Sequence, residues 1–254
     1  MLAGMLLRRL RCQPLPTGWS NARRMGSKPL KKQPLPENAL LYKGPIHYVA
    51  TAEQAEDWCR HLEKKVKVVG LGAEWRADMK RGQDHPVSMI QMCFRTEKLL
   101  RVVLFHVKYS GIPKKLRDVL TSETILKVGA SLLYDKAKLK AHSALEMKNV
   151  FDLSWSESKV LRGGSMFRKP LNIKELVPRV MDKVMVREGK WLRSDWARRP
   201  LKREQMDFAA LDAYAPFAVY ERMKEIHLKR LARQEGDSDE LGPIDTKELD
   251  FPWG

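Results

Sequence analysis

The apolar positions first fall into a readable pattern near Ile46. "IHYV" reads as a short strand, and Thr51 with Gln54 three residues on has the reciprocal form that opens a helix carrying Trp58, Cys59 and Leu62 on one face. Three apolar runs rich in β-branched residues follow in quick succession: "VKVVGL", "PVSMIQMCF" and "LLRVVLFHV". The polar or glycine-containing links between them are too short for a crossover helix, which predicts antiparallel neighbours. The pattern then alternates helix "PKKLRDVL", strand "ILKVG", helix "LLYDKAKLKAHS" and strand "KNVFDL", which predicts parallel pairing with helices packed on the sheet. The expected fold is therefore α/β: a mixed five-stranded sheet, three strands antiparallel and two added through right-handed crossovers. Further helices are expected at "WSESKVL", at "NIKELVPRVMDKV" behind an Asn172/Glu175 cap, and from about Lys202 to Arg233.

This pattern divides the chain into a basic arm and linker over 1–44, a folded domain over 45–233 and an acidic tail over 234–254 that is expected to be disordered. The first 36 residues hold eight Lys or Arg and no Asp or Glu. An apolar start followed closely by Arg8, Arg9 and Arg11 suits a mitochondrial presequence, the alternative being a basic arm that touches phosphates in a nuclear or cytoplasmic protein. "KKQPLPEN" reads as an extended linker, because its prolines cannot continue a helix. No apolar run approaches the roughly 20 residues that cross a bilayer, so no integral membrane segment is expected. Three cysteines without short-range pairing argue against a disulfide framework and against a Cys-based zinc site, and the six histidines have no ligand-like spacing. A net charge of +17 over 254 residues makes nucleic acid the first partner to consider.

Three acids stand at the ends of apolar elements: Glu74 after the first long run, Asp135 on the helix of "KVGASLLYDKAKL", and Asp212 on the last helix. Carboxylates from such distant segments can meet at one end of a sheet and hold Mg²⁺ or Mn²⁺, and a pair of such ions serves phosphodiester hydrolysis. "VVGLGAEW", "HPVSMIQM", "ILKVGASLLYDKAKL", "NVFDLS", "LNIKELV" and "RSDWARRPLKREQMDFAALDAYA" come in the order found in RNase D-like 3′-5′ exonucleases, including the exonuclease domain of the Werner syndrome helicase. From about Ile46 to Met223 the chain resembles that family. The resemblance implies a ribonuclease H-like fold, metal-dependent removal of nucleotides from a 3′ end, and Glu74, Asp135 and Asp212 as both catalytic and metal-binding residues.

Two positions depart from the family pattern. Gly72 stands where the first motif has an Asp that bridges both ions, and Phe208 stands where the third motif has a Tyr that orients water. Pro216, four residues after Asp212, cannot donate to the Asp212 carbonyl and predicts a kink or a break there. Together these predict weak or lost hydrolysis with one ion or none. The alternatives are a fully active exonuclease and a pseudo-exonuclease serving as a binding module, for instance a structural subunit of a ribonucleoprotein. For contact with single-stranded DNA or RNA the candidates are Gln91, Lys127, Lys138, Arg193 and Trp196, the last two within a stretch, Arg187 to Arg203, that carries seven basic residues against two acids.

Overall fold

The computed structural model describes residues 34–97, 99–155 and 170–236. Within them β1 (Ile46–Val49), β2 (Val68–Trp75), β3 (Val87–Thr96), β4 (Leu99–Phe105), β5 (Leu126–Gly129) and β6 (Val150–Asp152) form one mixed sheet in the order β1-β4-β3-β2-β5-β6. β2 runs antiparallel to β3 and β3 to β4, as their short links require, while β5 and β6 extend the sheet in parallel. The sheet has six strands rather than five, because "IHYV" joins its far edge, parallel to β4, from Ile46 against Val102 to Val49 against Phe105. A strand is legible locally, but its place in a sheet depends on a partner far along the chain.

The helices are α1 (Ala52–Lys65), α2 (Val107–Ser110), α3 (Lys114–Thr121), α4 (Leu132–Ser143), α5 (Ile173–Met181), α6 (Gly189–Leu192) and α7 (Arg203–Gly236). The Thr51 side chain accepts from the Gln54 amide at the start of α1, and Asn172 with Glu175 forms a complete capping box on α5, so both expected caps are present. The expected helix "WSESKVL" falls almost wholly outside the described residues, beyond a 3₁₀ turn over Leu153–Trp155. Asn38 to Leu40, read as linker, instead pairs with Val184: Leu40 donates to the Val184 carbonyl and Val184 donates to that of Asn38, at 2.8 and 3.0 Å.

Alternation along the strands gives the sheet two apolar faces. One, with Val69, Leu71, Ile90 and Met92, meets Cys59 and Leu62 of α1, Leu116 of α3 and Leu139 of α4. The other, with Met89, Cys93, Val102 and Leu104, meets Ala209, Ala210, Ala213 and Phe217 of α7. Here α7 lies against bare backbone: a Cβ at Gly70 would stand 2.2 Å from the Ala213 carbonyl oxygen and 2.7 Å from Phe217 Cβ. Of the kink or break expected at Pro216, the break does not occur, and α7 runs through it. Interior proline costs about 3 kcal/mol, but Phe217, Val219, Tyr220 and Met223 beyond it are all buried, and their burial offsets that cost.

Two outcomes follow from this packing. Gly70→Ala should destabilise the domain by about 3 kcal/mol in urea titration, because the contact it offends is backbone and cannot yield. His106, fully buried, accepts from the Tyr48 hydroxyl at 2.6 Å and donates to the Trp196 carbonyl at 3.0 Å. Burial lowers its pKa from 6.5 to about 4. The unfolded chain takes up the proton first, so this contribution is complete above about pH 6.5 and is lost as pH falls through about 4. Across that window the urea midpoint should fall, and fall less steeply in His106→Gln.

Candidate active site

Gly70, Gly72 and Glu74 occupy alternate positions of β2 and share the face that α7 covers. The close approach of Ala213 at Gly70 carries the residue before it, Asp212, to the end of that strand beside Glu74. Asp135 comes from α4, whose start is fixed by Asp152 of β6: its carboxylate accepts from the amides of Ser131, Leu133 and Ser154 at 3.0, 3.1 and 3.0 Å. The three acids line one cavity of about 330 Å³ together with Gly72, Gln91, Trp75, Arg187 and Pro216.

Arg187, in the loop between α5 and α6, is the residue that sequence reasoning missed. Its guanidinium is ion-paired with Asp212, reaches Glu74 Oε1 at 3.9 Å and lies over the Phe208 ring at 4.6 Å. Phe208 and Asp212 are one turn apart on α7, so a single planar cation can stack on the first while pairing with the second. In the sequence Arg187 opens a basic stretch read for phosphate contact, and its distance from Phe208 and Asp212 along the chain leaves no local signal of the pairing. Arg187 Nε, Asp212 Oδ1 and Gln91 Oε1 are buried with no hydrogen-bond partner among the described residues.

Burial raises the pKa of Glu74 well above the usual carboxylate range, the Asp212 carboxylate adds to the effect, and Arg187 opposes it. Asp135 is likewise raised, first by burial and then by Asp212. Burial also raises Asp212, but there the guanidinium is the main opposing influence, so Asp212 is the acid best held in its charged form. Gly72 is matched across the sheet by Gln91, and a Cβ at position 72 would stand 2.8 Å from Gln91 Nε2. A side chain at position 72 would require the Gln91 amide to shift.

The expected nucleic-acid contacts fare unevenly. Gln91 lines the cavity but is 1% exposed. Lys127 is buried, and its ammonium donates to the carbonyls of Val119, Ser122 and Ile125 at 3.5, 2.6 and 2.8 Å, so it closes the end of α3 rather than facing solvent. Lys138 is buried against the Trp75 ring and ion-paired with Asp78 and Asp84. Trp196 is core, stacked near Phe208 at 5.9 Å between centroids. Arg193 is exposed. Unforeseen was an aromatic pair at the mouth: Trp75, which lines the cavity, lies 5.6 Å from Tyr134, which is 60% exposed.

The profile of the family described as 3′-5′ exonuclease matches residues 46–227. The chain belongs to the 3′-5′ exonuclease domain family. It is 26% identical over 198 residues to a 3′-5′ exonuclease of Arabidopsis thaliana, covering 74% of this chain and 66% of that one. To the mouse bifunctional 3′-5′ exonuclease/ATP-dependent helicase WRN it is 23% identical over 231 residues, 88% of this chain but 15% of the relative. The chain thus spans less than two thirds of each. Among solved structures, Trypanosoma brucei RNase D in complex with RNA U12 matches with a TM-score of 0.63 at 17% identity, covering 83% of this chain and 76% of that one, a likeness of fold.

The exonuclease family is metal-dependent, with Mg²⁺ or Mn²⁺, and the residues present here do not fit such a centre. Gly72 supplies no ligand, Asp212 is engaged by a guanidinium, and among the described residues no three His, Cys, Asp or Glu side chains are gathered so as to hold an ion. The ligand set expected from the exonuclease motifs, Glu74, Asp135 and Asp212, shares a cavity without forming that group. If Arg187 is the internal partner of Asp212, Arg187→Met should cost about 3 kcal/mol in urea denaturation by leaving a buried carboxylate unpaired. Adding Asp212→Asn should restore most of that stability.

Proposed function

We propose that this exonuclease-family domain binds the 3′ end of single-stranded nucleic acid and has lost hydrolysis. The observation that carries the reading is Arg187, whose guanidinium engages the third-motif acid from the face of Phe208. Two-metal hydrolysis depends on ionised carboxylates that clamp the attacking and leaving oxygens. In this cavity the bridging acid is absent, the Gln91 amide stands beside its place, and Asp212 already has a cation. Three departures thus act together: glycine at 72 admits Gln91, phenylalanine at 208 offers a π face, and arginine at 187 uses it.

Binding retains its means. Trp75 and exposed Tyr134 offer a surface on which bases can stack, with Leu133, 55% exposed, beside them. Arg193, Arg198 and Lys202 are exposed on the segment that leads into α7 and suit phosphate contact. The RNA complex of the trypanosomal RNase D supports a nucleic-acid ligand for this fold. The acid-free, arginine-rich start supports mitochondrial import.

With a 3′-labelled single-stranded oligonucleotide and Mn²⁺ or Mg²⁺, nucleotide release should be near background, whereas binding should persist and weaken steeply with salt. Trp75→Ala with Tyr134→Ala should lower affinity tenfold or more, since each stacked base is worth about 1–3 kcal/mol. Gly72→Asp with Phe208→Tyr should restore nothing by itself; turnover should return only when Gln91→Ala and Arg187→Ala are added to make room and free Asp212. Robust hydrolysis by the unmodified protein, abolished by Asp212→Ala, would falsify the reading.

A further inference from the structure

A second cavity, of about 500 Å³, lies next to the first along the end of β2: Trp75 lines one and Arg76, the next residue, lines the other. Its wall carries four basic side chains, Arg76, His85, Lys108 and Arg117. Arg76, Lys108 and Arg117 have no ion-pair partner among the described residues, although Asp78, Asp84 and Asp118 lie near the lining residues in sequence. Those carboxylates are engaged elsewhere: Asp78 by His85 and Lys138, Asp84 by Lys138 and His142, and Asp118 by Lys114 and Lys115. Ser88, also in the wall, is 4% exposed. Three uncompensated cations and a serine hydroxyl around one concavity suit an anion with several acceptor oxygens.

The remaining lining narrows the ligand. Val87, Val107, Ile112 and Pro86 give the cavity an apolar side, and its volume is that of an organic ligand rather than of a bare ion. We infer that this second cavity is a phosphate-ester site that takes one nucleotide-sized unit, the phosphate on Arg76, Lys108, Arg117 and Ser88 and the remainder against the apolar side. Two sources carry that chemistry: an internal phosphodiester of a strand whose end lies in the first cavity, or a free nucleoside monophosphate. The strand source rests on the function proposed above; the free nucleotide does not.

The full chain, titrated with a twelve-residue oligothymidylate and separately with thymidine 5′-monophosphate, distinguishes them. Arg76→Gln with Arg117→Gln should weaken the oligonucleotide at least tenfold and reduce its log affinity against log salt slope by about 0.7, the share of the one single-strand phosphate that is no longer neutralised. Arg76→Gln with Lys108→Gln, both exposed, should do the same should half-buried Arg117 prove needed for folding. A fall in oligonucleotide affinity alone assigns the site to the strand backbone, and a parallel fall for the monophosphate assigns it to a free nucleotide. Unchanged affinity for both ligands in variants with wild-type melting temperature overturns the site. If the unmodified protein binds the monophosphate in a manner sensitive to these variants but no oligonucleotide, the strand reading fails and the site stands.

Discussion

The arrangement at the carboxylate end of the sheet depends on how closely α7 approaches β2. With no side chain at Gly70, the Ala213 carbonyl comes to rest where a Cβ would otherwise be, and the small residues Ala209 and Ala210 keep the rest of that helix face low. Every position on α7 is indexed from this contact. Asp212 precedes Ala213 and so reaches the end of β2, and Phe208, a turn earlier, packs by Trp196. The helix continues through Pro216 because buried residues hold both sides of it. A local rule that forbids an interior proline yields here to tertiary packing, and one carbonyl is left without its helical donor.

Much of this was legible in the sequence because it rests on period and on caps. Five of the six places in the sheet, both capped helices and the convergence of Glu74, Asp135 and Asp212 all follow from local pattern or from the family resemblance. The edge position of β1 was not legible, since nothing between Ile46 and Val102 encodes a parallel pairing. Lysines were the least readable class. Lys127 and Lys138 have the composition of phosphate contacts, yet one closes a helix end and the other joins two aspartates. A long cationic side chain can run inward as readily as outward, and only the neighbours decide.

Arg187 shows the same limit at the site itself. In sequence it is one basic residue among seven in a stretch that also supplies Arg193 and Lys202. In space it forms part of a unit with Phe208 and Asp212 that has ring, cation and carboxylate in one stack. Gln91 completes the substitution on the other side by filling the cross-strand position next to Gly72. Arg187, Phe208, Asp212 and Gln91 lie on three different segments, and none departs from ordinary composition when taken alone. Only their joint geometry makes them one unit.

A divalent ion in such a cavity is exchangeable: its occupancy rises and falls with the concentration outside. The guanidinium of Arg187 is fastened to the backbone, so its effective concentration at Asp212 is set by the length and stiffness of the loop after α5. The counter-charge is synthesised with the chain and arrives when the domain folds. Neither chelation nor a change in cellular magnesium alters how much of it is present, so the electrostatic balance of this cavity is fixed by sequence rather than by supply.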